Sequence, residues 1–221
     1  VPVYATLDDG TYNPREAYSH GMYRGMASHA MAQGAGGIYL FNYFLTGYNE
    51  ANQKLQPKEG TLVCRTIAPE LLQELGSLET LRKRNKIYAL SDGASSYELT
   101  PNSPLPLLIQ QNTEAGIFIG DDVNADEPQE VILFIRTNKK DSFSVSINGS
   151  ALQQINADYP RLYDKLTGIK EPQHVTAFIV PANVVIQGNN KIVFSASANE
   201  LILQRVELAL KYGSVEECGY F

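Results

Sequence analysis

The chain has 221 residues, a formal net charge of −6 and a pI near 5.1. Hydrophobic residues make up 43% and charged residues 19%, the balance of a chain that buries a core, so wholesale disorder is excluded. The acidic balance argues against nucleic acid and anionic membrane surfaces as partners, and no apolar run approaches the roughly 18 residues of a membrane span.

The chain opens directly on an apolar, strand-like run, Val3 to Leu7, which ends in Asp8-Asp9-Gly10. Domains seldom start inside a core element, so the expectation is the C-terminal piece of a longer protein. A helix start follows. Asn13 suits the N-cap, Pro14 the first helical position and Glu16 the first turn. The helix is predicted to run to about Gln33, with Ala17, Met22, Met26, Ala27, Ala30 and Met31 forming a face of small and flexible residues. Gly34-Ala35-Gly36-Gly37 ends it. Ile38 to Phe41 is a continuous apolar run, the pattern of a strand covered on both faces in a parallel sheet. Strand, helix and strand make a βαβ unit, and one such unit encloses no core. A short helix is predicted over Ala68 to Leu75 and a second turn or helix over Glu79 to Lys86.

The pattern changes near residue 92. Ser91 to Ser96 is small and polar, and Thr100 to Pro106 carries three prolines that enforce extended backbone. Beyond it, strands are predicted at Gly116–Ile119, Glu130–Thr137, Phe143–Ile147, His174–Ile179, Lys191–Ser197 and Gln204–Tyr212, with Leu105–Gln110 as a further one. Asn148-Gly149 and Gly188-Asn189-Asn190 are read as turns. Val145, Ile147, Ile192 and Phe194 alternate with polar neighbours, as strands with one buried face do. About seven short strands in this arrangement point to an antiparallel β-sandwich. The fold class is thus α/β plus all-β, with a first unit over residues 1–92 and a sandwich over 93–221.

Few residues carry obvious chemistry. Cys64 and Cys218 are too few for a disulfide scaffold or a four-thiolate zinc site, and whether they pair is open. His20 and His29 stand nine apart on the predicted helix, without the i,i+4 spacing of a metal pair, and His174 starts a strand; each reads as a surface or packed histidine. No G-x-S-x-G motif is present. Asp121, Asp122, Asn124 and Asp126 form the richest cluster of oxygen ligands. Counted from Asp122, an EF-hand loop would need Gly where Glu127 stands and Glu where Leu133 stands, so that motif is rejected. An irregular calcium site and a solvated acidic turn remain the two readings. Asn148-Gly149-Ser150 fits a glycosylation acceptor, but a tight hairpin explains the Asn-Gly pair fully. Tyr159, Arg161 and Tyr163 cluster in a long loop, where they can line a sugar-binding rim or pin the loop to the sandwich.

The stretch Tyr23-Arg24-Gly25-Met26-Ala27, followed by Gln33-Gly34-Ala35-Gly36-Gly37-Ile38-Tyr39-Leu40-Phe41-Asn42, resembles the closing helix and last strand of a glycoside hydrolase-like (β/α)8 barrel. Leu71 to Leu81 and Lys86-Ile87-Tyr88 continue the likeness, and the second half resembles the jelly-roll or galactose-binding-like module that some secreted or periplasmic bacterial relatives carry after the barrel. The resemblance implies that the first unit is a barrel tail, with Val3–Leu7 the seventh strand and Ile38–Phe41 the eighth. Barrel active sites lie at the C-terminal ends of strands. Asp8 or Asp9 would then supply one of the two carboxyl groups that a glycosidase needs, and Asn42 and Tyr43 would contact sugar. Asp-Asp-Gly is equally a common turn. The implied partners are carbohydrate and the N-terminal part of the barrel; no cofactor is required, calcium being the one candidate. The alternatives are a non-catalytic carbohydrate- or cell-surface-binding module, and an interaction protein that completes its fold with another chain.

Overall fold

The computed structural model describes residues 1–8, 20–41, 69–91, 104–156, 174–197 and 200–213. It is β-rich. Strand β1 (Tyr4–Asp8) pairs in parallel with β2 (Gly37–Phe41), and helix α1 (His20–Ala32) lies between them in the chain. Two short helices, α2 (Pro69–Glu74) and α3 (Leu78–Leu81), follow. Helix α3 starts on a capping box, in which Ser77 Oγ accepts from the Thr80 amide and Thr80 Oγ1 accepts from the Ser77 amide. Leu7, Tyr23, Ala27, Leu71, Leu75 and Leu81 form the small core of this layer.

Two antiparallel sheets make up the rest. The larger runs β3 (Lys86–Ser91), β12 (Ile202–Lys211), β6 (Glu130–Thr137), β10 (His174–Ile179) and β9 (Gln153–Ile155), with β4 (Leu107–Leu108) also on β12. The smaller runs β5 (Thr113–Ile119), β11 (Gly188–Ala196), β7 (Phe143–Ile147) and β8 (Ser150–Ala151). Between β5 and β6 sits a one-turn helix, α4 (Val123–Asp126). One core fills the space between the sheets. Val131, Leu133 and Ile135 of β6 and Val206, Leu208 and Leu210 of β12 face Ile117, Ile119, Val145, Ile147, Ile192 and Phe194 from the other sheet. Each such side chain contributes about 1.5–3 kcal/mol by leaving water.

The strands expected at Glu130–Thr137, Phe143–Ile147 and His174–Ile179 form with those bounds. The Asn148-Gly149 hairpin forms too, with both residues at positive φ (48° and 84°), which a two-residue turn between twisted strands requires. Three expectations need correction. A turn or helix is expected over Glu79–Lys86 and a boundary from Ser91, yet Lys86–Ser91 is a strand that pairs with β12, with Tyr88 and Leu90 packed in the sandwich core and Ile87 buried on the α1 side. Gly188-Asn189-Asn190 opens β11 rather than preceding it, since Gly188 to Phe194 pair with β5. Ile38–Phe41 was read as covered on both faces, but Tyr39 is 56% exposed and its neighbour across the pair, Thr6, is exposed as well. Among the described residues only one face of the two-stranded pair has a layer against it.

Candidate functional site

The parallel register places one sequence-predicted site position, Asp8, beside the end of the neighbouring strand. Asp8 ends β1 directly across from Phe41, which ends β2. The two strands therefore stop together and point the same way. Asp9, Asn42, Tyr43, Tyr159, Arg161 and Tyr163 lie outside the described residues, as do Cys64 and Cys218.

The acidic run after β5 is described in full, and it is solvated only in part, with Asp122 and Asn124 exposed. Asp121 and Asp126 are buried. One Asp121 oxygen stands 3.0 Å from Lys86 Nζ, and the other accepts from the Tyr88 hydroxyl at 2.7 Å. Asp122 caps α4 by accepting from the Ala125 amide at 3.1 Å. Asn124 Nδ2 donates to the Val185 carbonyl, and Asp126 binds Arg82 Nε at 2.5 Å. The four oxygen-bearing side chains thus diverge to separate partners, Asp121 alone having two. Among the described residues no three His, Cys, Asp or Glu side chains are grouped to hold a metal ion.

Sequence reasoning missed the groups around Asp121. Lys86 is fully buried, which is rare for an unpaired lysine; its ammonium also touches the Arg84 carbonyl at 3.3 Å and lies 5.3 Å above the Tyr212 ring. Burial pushes the Lys86 pKa down, and Asp121 pulls it part of the way back. Burial is continuous from Asn85 to Tyr88, so no alternation in the sequence marks Lys86 as a buried position. Ser28 of α1 completes the network 2.9 Å from the Tyr88 hydroxyl. An ionised carboxylate only accepts, so Tyr88 donates to Asp121 and accepts from Ser28. His29 packs edge-on against Phe118, with centroids 5.1 Å apart, in line with a packed histidine.

Burial, followed by the Asp121 charge, raises the Tyr88 pKa well above its usual value, and the same two causes raise Tyr212. The sign is fixed by linkage. Above about pH 10 the unfolded tyrosines lose protons that the folded protein retains, so stability falls as pH rises. Lys86 acts oppositely, but only up to about pH 10.5, where the unfolded lysine also deprotonates. Urea midpoints measured from about pH 9 to 12 are therefore expected to drop steeply above about pH 10.5. Tyr88→Phe should flatten that limb by about 1.4 kcal/mol per pH unit; an unchanged slope would show that Tyr88 ionises freely in the folded protein.

Two concavities border these elements. A cavity of about 350 Å³ lies between β1, α1, β3 and β5, lined by Leu7, Met26, His29, Leu90, Ile117 and Phe118 among others. A groove of about 560 Å³ crosses one end of the smaller sheet, lined by Gln111, Phe143, Ala196 and four serines, Ser142, Ser144, Ser195 and Ser197.

No protein-family model and no curated protein matches the chain. Among solved structures it is similar to a β-porphyranase of glycoside hydrolase family 86 from the human gut bacterium Bacteroides plebeius, with a TM-score of 0.38 and 12% identity over 59% of this chain and 21% of that one. Two structures of a second GH86 protein, wild type and variant, both in complex with neoagarooctaose, give a TM-score of 0.35 and 14% identity over 57% of this chain and 19% of theirs. The match spans about a fifth of the length of these proteins. The functional reading therefore rests on the chain's own residues. Among the described residues no helix is long and apolar enough to cross a membrane.

Proposed function

We propose that this chain is the C-terminal portion of a glycoside hydrolase-like protein acting on polysaccharide, made of the last βα elements of a (β/α)8 barrel and a jelly-roll-like accessory sandwich. The observation that carries this reading is the parallel, in-register β1–β2 pair, whose strands end side by side at Asp8 and Phe41 with α1 between them in the chain. Such a pair is the repeating unit of the barrel, and its strand ends are where barrel chemistry sits. The exposed Val3, Tyr4 and Tyr39 lie where the rest of a barrel would cover the pair. Hydrolysis needs one carboxylic acid to protonate the leaving oxygen and a second carboxylate across the sugar. Asp8 or Asp9 supplies one, and the other comes from the rest of the barrel. Calcium has no part in this reading. A polysaccharide-degrading enzyme of this kind works outside the cytoplasm, in the periplasm or beyond the cell.

The test is release of reducing ends from polysaccharide by the full-length protein that carries this chain. Asp8→Asn or Asp9→Asn is expected to lower kcat by about 10²-fold or more without changing the unfolding midpoint. Unchanged rates in both variants would remove the strand end from the catalytic list. The groove at Phe143 favours a second reading, a carbohydrate-binding module, because an aromatic edge ringed by hydroxyls can contact sugar. Glycan retention without hydrolysis, lost in Phe143→Ala, would select it.

A further inference from the structure

We propose that α1 and the sandwich are latched into one cooperatively folding unit, so that the sandwich is a fixed support for the β1–β2 layer and not a tethered module. This inference is independent of the glycosidase reading.

Strand β3 serves both sides of the seam. Tyr88 belongs to the sandwich core, yet its hydroxyl reaches Ser28 of α1. Asp121 holds the same hydroxyl from the loop after β5 and is itself held by Lys86. Ser28 and Lys86 are fully buried and Tyr88 and Asp121 nearly so, and the chain Ser28–Tyr88–Asp121–Lys86 thus crosses the seam in the interior. Low surrounding polarity strengthens such a chain while it is closed and penalises it when one member is withdrawn.

Backbone contact reinforces it. Gly25 of α1 stands so close to Ile87 that a Cβ there would overlap the Ile87 carbonyl oxygen. On the other side, a Cβ on Gly120 would lie 2.6 Å from the Ser28 carbonyl oxygen. Two close approaches, Gly25 of α1 against β3 and Gly120 after β5 against α1, define one relative placement. Bonds beside it bridge the same seam. Arg24 of α1 binds Glu74 at 2.6 Å and donates to the Asn85 carbonyl, just before β3, at 3.4 Å, and Asp126 of the sandwich holds Arg82 after α3. Without α1, the outer face of β3 would expose Ile87, which is 1% exposed in the folded chain.

The test is hydrogen exchange of the full 221-residue chain read by mass spectrometry, with calorimetry alongside. A single thermal transition is expected, with the amides of α1 protected to within about tenfold of those of β12. Tyr88→Phe keeps the ring and removes only the hydroxyl. It should speed exchange in α1, β6 and β11 together by about tenfold, as members of one unit do, while circular dichroism reports an intact sandwich; faster exchange in α1 alone would show that α1 opens by itself and would overturn the proposal. Gly25→Ala should do the same or more, and Tyr88→Phe decides the matter if Gly25→Ala does not fold. Two separate transitions in the wild type, α1 exchanging more than about a hundredfold faster than β12, or unchanged α1 exchange in Tyr88→Phe would each overturn the proposal.

Discussion

Replacing Asp121 with alanine is expected to cost about 3–5 kcal/mol of folding stability at neutral pH. The reason is the partner left behind. Lys86 has no exposed surface, and without Asp121 its ammonium keeps only the Arg84 carbonyl at 3.3 Å and the Tyr212 ring at 5.3 Å. A buried ammonium with such partners either stays charged at high cost or gives up its proton. Deprotonating a lysine of ordinary pKa at pH 7 costs about 5 kcal/mol, which sets the ceiling. Tyr88 also loses its carboxylate acceptor and keeps only Ser28 Oγ at 2.9 Å. Chemical unfolding monitored by circular dichroism gives the number. Adding Lys86→Met to Asp121→Ala should recover a large part of the loss, because an apolar side chain of similar length no longer needs a counter-charge. A loss below about 1 kcal/mol for Asp121→Ala would mean that water reaches Lys86 and that the network is not closed.

Asn190→Ala is expected to cost about 3 kcal/mol. This asparagine is fully buried on β11 and uses all its hydrogen-bonding capacity. Its Nδ2 donates to the carbonyls of Ile186 and Gly188 at 2.8 and 3.0 Å, and its Oδ1 accepts from the Ile186 amide and from Asn148 Nδ2 at 2.9 and 2.8 Å. Asn148 in turn accepts from the Lys191 amide and donates to the Val184 carbonyl. The two asparagines tie the β7–β8 hairpin to the start of β11. Truncating Asn190 strands several backbone groups where water enters poorly, and each such group costs about 1–3 kcal/mol. A double-mutant cycle with Asn148→Ala should show coupling of about 1 kcal/mol, since the pair shares one direct bond. Additive losses would mean that the hairpin and β11 are held independently. The same bonds account for the Asn148 amide, whose nitrogen is engaged by two acceptors and so favours the hairpin reading of Asn148-Gly149-Ser150 over a glycan acceptor.

Much of the local structure was legible in the chain itself. Val145, Ile147, Ile192 and Phe194 announced strands with one buried face, and all four are in the sandwich core. Asn148-Gly149 announced a hairpin, because few other pairs adopt two successive positive φ angles without strain. The apolar runs either side of the first helix announced a βαβ unit, and β1 and β2 do pair in parallel. These signals are local: the period of a strand and the steric demands of a turn are written in neighbouring residues.

Partner choice was not legible. Nothing around Lys86 says that its strand pairs with β12, some 120 residues further on, rather than ending a helix. Nothing in Asp121 to Asp126 says that the four side chains diverge to Lys86 and Tyr88, to a helix amide, to Val185 and to Arg82 instead of converging on a cation. The sequence by itself determined where strands and turns fall, because that depends on alternation and backbone freedom over a few residues. The tertiary structure alone decided which strand joins which sheet and which charge neutralises which. Those choices turn on distance and desolvation between groups such as Ser28, Tyr88 and Asp121, which come within hydrogen-bonding reach only when the layers close.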